Sequence, residues 1–204
     1  MTTLVVIAKE PLPGRAKTRL HPPLSLEQAA EVAAAAIDDT LASMRQVAAT
    51  RRILLFDGIP NRPLMTDYEI VPQVGGSLDE RLAAIFDGCT EPTVLIGMDT
   101  PQVTAEHLHP AFTAWPDDVD AWFGPASDGG FWALGMREPR GDLIRGIPMS
   151  QDDTGAKQLE RLVAAGLRVG TLPMLDDVDT MDDARRVAAS APLTRFAALV
   201  RSFA

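Results

Sequence analysis

Five apolar residues in a row, Leu4-Val5-Val6-Ile7-Ala8, are the feature that most narrows the folds open to this chain. A strand with one face in water alternates apolar and polar side chains, because successive side chains point to opposite faces. An unbroken run has no polar face to offer. It therefore reads as a strand buried on both sides, as in the middle of a sheet covered by helices.

Further strand-length segments follow at 52–56, 69–71, 93–98, 121–124, 131–136 and 168–172, and helical stretches separate most of them. Ser25-Leu26-Glu27-Gln28 is a capping box opening a long helix, with Leu26, Ala30, Ala33, Ile37, Leu41, Met44 and Val47 at intervals of three and four. Ser77-Leu78-Asp79-Glu80 caps a second helix, with Leu78, Leu82, Ile85 and Phe86 on one face. Thr104 opens a third that carries Leu108, Phe112 and Trp115. Residues 153–165 form another by Leu159, Leu162 and Val163, Thr180 caps a fifth, and 193–203 make a short amphipathic helix packing on the outside. Strand–helix alternation predicts parallel pairing with right-handed crossovers. The expected architecture is a single α/β domain over 1–204, a three-layer α/β/α sandwich with a mostly parallel, Rossmann-like sheet.

Composition removes several functions. No apolar run approaches the length of a membrane span, and the apolar start is too short and lacks the flanks of a secretory signal. Cys89 is the only cysteine, which rules out an internal disulfide or a cysteine-built zinc site and suits a reducing cytoplasm. A net charge of −9 argues against binding nucleic acid backbones. Yet residues 9–19 hold Lys9, Arg15, Lys17 and Arg19 against Glu10 alone. A compact basic segment on an acidic chain suggests one local anionic ligand.

Ligands of such sheets bind outside the carboxyl ends of the strands, so the residues just after each strand are the candidates. After the first comes Ala8-Lys9-Glu10-Pro11-Leu12-Pro13-Gly14-Arg15-Ala16-Lys17-Thr18-Arg19-Leu20. The prolines keep it from being helical, Gly14 lets backbone amides approach a ligand, and its cations can neutralise phosphate oxygens. It is not a P-loop, since Pro11 and Ala16 stand where that pattern needs glycines. A solvated basic loop is the plainer alternative. Asp99 in Gly97-Met98-Asp99-Thr100-Pro101 could hold Mg²⁺ or serve only a turn. Asp128-Gly129-Gly130, inside a Gly-rich stretch between two apolar runs, is either a substrate-facing loop or a hairpin connection. In Asp176-Asp177-Val178-Asp179-Thr180-Met181-Asp182-Asp183, helix capping accounts for Thr180, Asp182 and Asp183. Asp177 and Asp179 are left over, and either could be a second metal ligand.

These motifs, in this order, resemble the bacterial proteins with the nucleotide-diphospho-sugar transferase (A-type glycosyltransferase) fold. The resemblance spans most of the chain and rests on the basic loop, Gly97-x-Asp99-Thr100-Pro101, Gly124-Pro125-x-x-Asp128-Gly129-Gly130-Phe131 and Asp177-Val178-Asp179-Thr180. The start is also similar to guanylyltransferases that activate phospholactate or phosphoenolpyruvate, in Lys9 and Lys17-Thr18-Arg19-Leu20 before a long helix. The Asp128 loop departs from theirs, where a Gly-Thr-Asn pattern occurs, and Met181 stands where the family usually has Pro.

The resemblance implies a transferase that uses Mg²⁺ or Mn²⁺ and binds a nucleotide and a small-molecule acceptor. Lys9, Gly14, Arg15, Lys17 and Arg19 would bind the nucleotide, with Lys17, Arg15 and Asp99 in catalysis. Asp99 and Asp179 would hold the metal, and Asp128, Gly129 and Gly130 the second substrate. Nucleotidyl transfer from a nucleoside triphosphate is the expected reaction. Glycosyl transfer from a nucleotide sugar is the alternative, and a catalytically silent nucleotide-binding module a third.

Overall fold

Leu4, Val5 and Val6 are almost wholly buried, as an interior strand requires. They belong to β1 (Thr3–Lys9) in a computed structural model of the protein that describes residues 1–113 and 115–203. The other strands are β2 (Arg51–Asp57), β3 (Glu69–Pro72), β4 (Thr93–Gly97), β5 (Ala121–Pro125), β6 (Phe131–Met136) and β7 (Val169–Thr171). They form one sheet in the order β3-β2-β1-β4-β6-β5-β7. Every pairing is parallel except those of β6, which runs antiparallel to both β4 and β5. The Gly-rich stretch is thus a hairpin connection: Ala126 N–H donates to Gly130 O at 3.1 Å and Gly129 N–H to Ala126 O at 3.2 Å.

The helices are α1 (Leu26–Met44), α2 (Leu78–Asp87), α3 (Ala105–Phe112), α4 (Thr154–Ala164), α5 (Met181–Ser190) and α6 (Arg195–Ser202). The boxes expected at Ser25, Ser77 and Thr180 are all formed, each satisfying amides that a helix start leaves free. One face of the sheet packs Leu4, Val6 and Ile96 against Ile37, Leu41 and Met44 of α1 and Leu108 of α3. The other packs Val5, Ile53 and Leu95 against Leu82 and Phe86 of α2 and Leu162 of α4.

A third cluster adds a layer that apolar spacing did not predict. Ala29, Val32, Ala35 and Ala36 of α1 bury themselves against Val187 of α5 and Phe196 and Val200 of α6. Alanine carries a weak hydrophobic signal, so this second stripe was not visible in the spacing; its small side chains let α1 be covered on two sides. Asp39 fixes α6 by accepting from the backbone amides of Arg195 and Phe196. The apolar spacing also overreached in places. Val163 of α4 is 58% exposed and Leu78 is 40% exposed, and Trp115 lies past the end of α3. No described helix is long and apolar enough to cross a membrane.

Candidate active site

In the strand order, β1 is flanked by β2 on one side and β4 on the other, which marks the topological switch where ligands of open α/β sheets bind. A cleft of about 660 Å³ opens there, within the range of small-molecule sites. Lys9 enters it from the end of β1, Asp99 from just after β4, and Asp177 and Asp179 from the segment before α5.

Hydrogen bonds of backbone and side chains bring these remote segments together. Val178 N–H donates to Asp99 O at 3.0 Å, Gln102 Nε2 to Asp176 O at 2.6 Å, and Ser127 Oγ to Asp176 Oδ1 at 2.7 Å. The stretch 176–179 is thereby stitched to the end of β4 and to the loop after β5.

Lys17 is not among the residues that line the cleft but sits against the acids that do. Its Nζ lies 2.6 Å from Asp99 Oδ1 and 3.8 Å from Asp179 Oδ1, donates to Val178 O, and the side chain is only 6% exposed. Burial alone would lower its pKa, but Asp99, Asp177 and Asp179 outweigh that and hold the ammonium above its ordinary value. Its backbone is left-handed, with φ 50°, a conformation that costs a non-glycine residue on the order of 1–3 kcal/mol and persists where the surroundings enforce it. Arg19 Nη1 pairs with Asp179 Oδ2 at 2.7 Å.

The other expected residues are placed differently. Gly14 and Arg15 do not line the cleft, and Arg15 is exposed. The amides of Arg15 and Ala16 both donate to Leu12 O, so the turn spends on itself the groups expected to face a ligand. Asp128 and Gly130 line the cleft but Gly129 does not. Gly129 has φ +87° and its carbonyl accepts from Gly155 N–H at 2.8 Å; a side chain there would collide with the backbone of Asp152. Its glycine serves close packing against the start of α4. Gly129→Ala should therefore cost at least about 2 kcal/mol in urea denaturation. Gly146→Ala, at φ +83° with open space around it, should cost about 1 kcal/mol. Equal losses would count against steric packing as the reason.

Asp177 is strongly perturbed by its surroundings in the cleft. Burial first, then the charges of Asp99, Asp128 and Asp179 against that of Lys17, push its carboxyl up to about 8. The folded protein thus binds this proton more tightly than the unfolded chain does. The resulting stability is complete below an unfolded value near 3.8 and is lost as pH rises through about 8. Asp177→Asn should be more stable than wild type at pH 9 by on the order of 1 kcal/mol or more, and the gap should close towards pH 4. Parallel melting curves across that range would contradict the assignment.

Sequence reasoning missed several residues of the cleft wall, Gln73, Arg81 and the 149–152 stretch among them. Gln73 follows β3, so the rule of looking just after each strand would have reached it. That strand is so short that its end drew no notice. Among the described residues, no group of three or more His, Cys, Asp or Glu side chains stands ready to enclose a metal ion.

This sheet order, with its cleft at the switch between β1 and β4, is the fold of the nucleotide-diphospho-sugar transferases. A protein from Desulfovibrio desulfuricans G20 described as a "putative nucleotide-diphospho-sugar transferase" is 26% identical, with 98% of this chain and 94% of that one aligned at a TM-score of 0.86. A cytidylyltransferase from Leptospira borgpetersenii aligns over 98% and 92% with a TM-score of 0.61 at 9% identity. The inositol-1-phosphate CTP transferase from T. maritima aligns over 98% and 95% with a TM-score of 0.57 at 14% identity. The last two share the fold alone. The chain belongs to the family described as an uncharacterized protein conserved in bacteria (DUF2064), whose model matches residues 29–151. No curated protein sequence matches it.

Proposed function

We propose that this protein is a metal-assisted transferase that moves the nucleotidyl group of a nucleoside triphosphate onto a small phosphorylated acceptor. The observation that carries this reading is the meeting, in one cleft at the β1–β4 crevice, of cations from the N-terminal loop and aspartates from far along the chain.

An oxygen of the acceptor phosphate forms a bond to the α-phosphorus, and the bond from that phosphorus to pyrophosphate breaks in line, with the leaving oxygen keeping the electron pair. A phosphate oxygen is already deprotonated at neutral pH, so no general base is needed. Acceleration then comes from positioning and charge stabilisation. Lys9 and Arg19, both exposed at the cleft, are suited to phosphate oxygens. Lys17, already enclosed by carboxylates, keeps the acids together. Asp128 and Gly130, on the side of the cleft away from β1, are suited to the acceptor.

The donor set fits a hard divalent cation. Asp99, Asp177 and Asp179 all line the cleft and offer only oxygen. Asp99 and Asp179, each with a side chain 40% exposed, would hold Mg²⁺ or Mn²⁺, with substrate phosphates and water completing the shell. Such an ion, when bound, neutralises charge on the phosphate oxygens.

Glycosyl transfer is the second reading, favoured by the printed description of the Desulfovibrio relative. Product analysis over a panel of nucleoside triphosphates, nucleotide sugars and phosphorylated acceptors with Mg²⁺ decides between them. Pyrophosphate release supports nucleotidyl transfer and free nucleoside diphosphate supports glycosyl transfer. Nucleotide binding that ignores the metal, with no turnover, would leave only a binding module. The buried free thiol of Cys89 is compatible with the reducing cytoplasm such substrates occupy.

A further inference from the structure

Arg81 stands in the cleft wall beside Gln73, which is anchored on β1 and β2. Among the described residues no carboxylate lies within salt-bridge reach of it; its partners are neutral oxygens. Nε donates to Gly76 O at 3.0 Å and Nη1 to Gln73 Oε1 at 3.3 Å. Gln73 is itself held: its Nε2 donates to Ala8 O at 2.8 Å and Leu55 O at 3.3 Å, at the ends of β1 and β2. Those two bonds use both amide hydrogens and fix the amide so that its oxygen faces Arg81.

A guanidinium has five N–H donors in a rigid fork. Two are consumed here, the Nε hydrogen and one of those on Nη1. The remaining hydrogens, one on Nη1 and two on Nη2, leave two nitrogens free to donate to the oxygens of a phosphate. Four of the neighbouring lining residues, Leu78, Leu82, Phe131 and Met149, offer no anion. A half-buried charge held by a neutral relay, with no carboxylate in salt-bridge reach among the described residues, is suited to an anion from outside.

We propose that Arg81 is a phosphate anchor of this cleft, with Gln73 as the positioning residue that aims it. The inference rests on the reading of the cleft as a nucleotide site and goes beyond it, because the anchor lies outside the basic loop and the acid cluster. The phosphate could belong to the nucleotide or to the phosphorylated acceptor.

Calorimetry of wild type, Arg81→Ala, Arg81→Lys and Gln73→Met distinguishes these, using the four nucleoside triphosphates with Mg²⁺ and then inorganic phosphate alongside bound triphosphate. Loss of a charge-assisted pair should weaken binding by about tenfold or more. Arg81→Lys should lie between, since a point charge cannot reproduce the fork. Gln73→Met should weaken binding in the wild-type background and do nothing further in Arg81→Ala, which a merely structural role would not give. If the loss falls on the triphosphate, Arg81 holds the nucleotide; if it falls only on inorganic phosphate, Arg81 holds the acceptor. If wild type binds and Arg81→Ala, with an unchanged ligand-free melting point, binds both probes equally well, the anchor is overturned and the nucleotide reading stands. If wild type binds no triphosphate at millimolar concentration, both fall together.

Discussion

Lys17→Met is expected to strip the ligand-free protein of about 3–5 kcal/mol, the usual consequence of removing one partner from a buried ionic group. The methionine keeps the apolar stem and accepts the same backbone, so the change isolates the ammonium. Without it, Asp99, Asp177 and Asp179 face one another with only Arg19 nearby, on Asp179. In a chain of this size each kcal/mol moves Tm by roughly 2–4 °C, so a fall of ten degrees or so is anticipated. The same charge logic makes a second measurement decisive. If the acids form a cation site, millimolar Mg²⁺ or Mn²⁺ should raise the Tm of Lys17→Met more than that of wild type, because the vacated charge can be replaced. A variant that melts within two degrees of wild type, or one indifferent to either ion, would mean that Lys17 is not the internal counter-ion of this cluster.

Asp99→Asn should do the opposite, leaving the fold and removing the reaction. The amide is isosteric, and Lys17 keeps Asp179 and the Val178 carbonyl as partners. Relief of repulsion with Asp177 offsets the lost pair, so stability should stay within about 1 kcal/mol of wild type. Turnover should fall a hundredfold or more, the size of effect seen when one group aimed at developing charge is removed, about 3–4 kcal/mol in the barrier. The loss should appear in kcat more than in nucleotide affinity, because the phosphates keep their cationic partners. Pyrophosphate release in the presence of Mg²⁺ measures the first and calorimetry the second. Retention of more than about a tenth of wild-type turnover would remove Asp99 from the chemistry.

The order of elements was legible because it rests on local physics. Apolar runs, three capping boxes and a hairpin-competent glycine loop each act within a few residues. The parallel centre of the sheet followed from the alternation of strands and helices. The sequence leaves the reversal of β6 open, since 124–130 reads as loop or as turn, and pairing with β4 on its far side decides it. The layer of α5 and α6 on α1 was less legible, because alanine contributes little to any hydrophobic pattern yet is what two-sided packing demands.

For the candidate site, the sequence alone determined which chemical groups were available: a cation-rich loop after the first strand, an aspartate after the fourth, and surplus acids before the fifth helix. Composition and strand-end position suffice for that, because a sheet of this kind presents its strand ends on one edge. Only the tertiary structure decided how those charges are spent. It placed Lys17 among the acids, left Arg15 in solvent, and bonded Arg81 to neutral oxygens. Coulomb attraction at 3 Å depends on which side chains from distant segments finally meet, and spacing along a chain carries no record of that meeting.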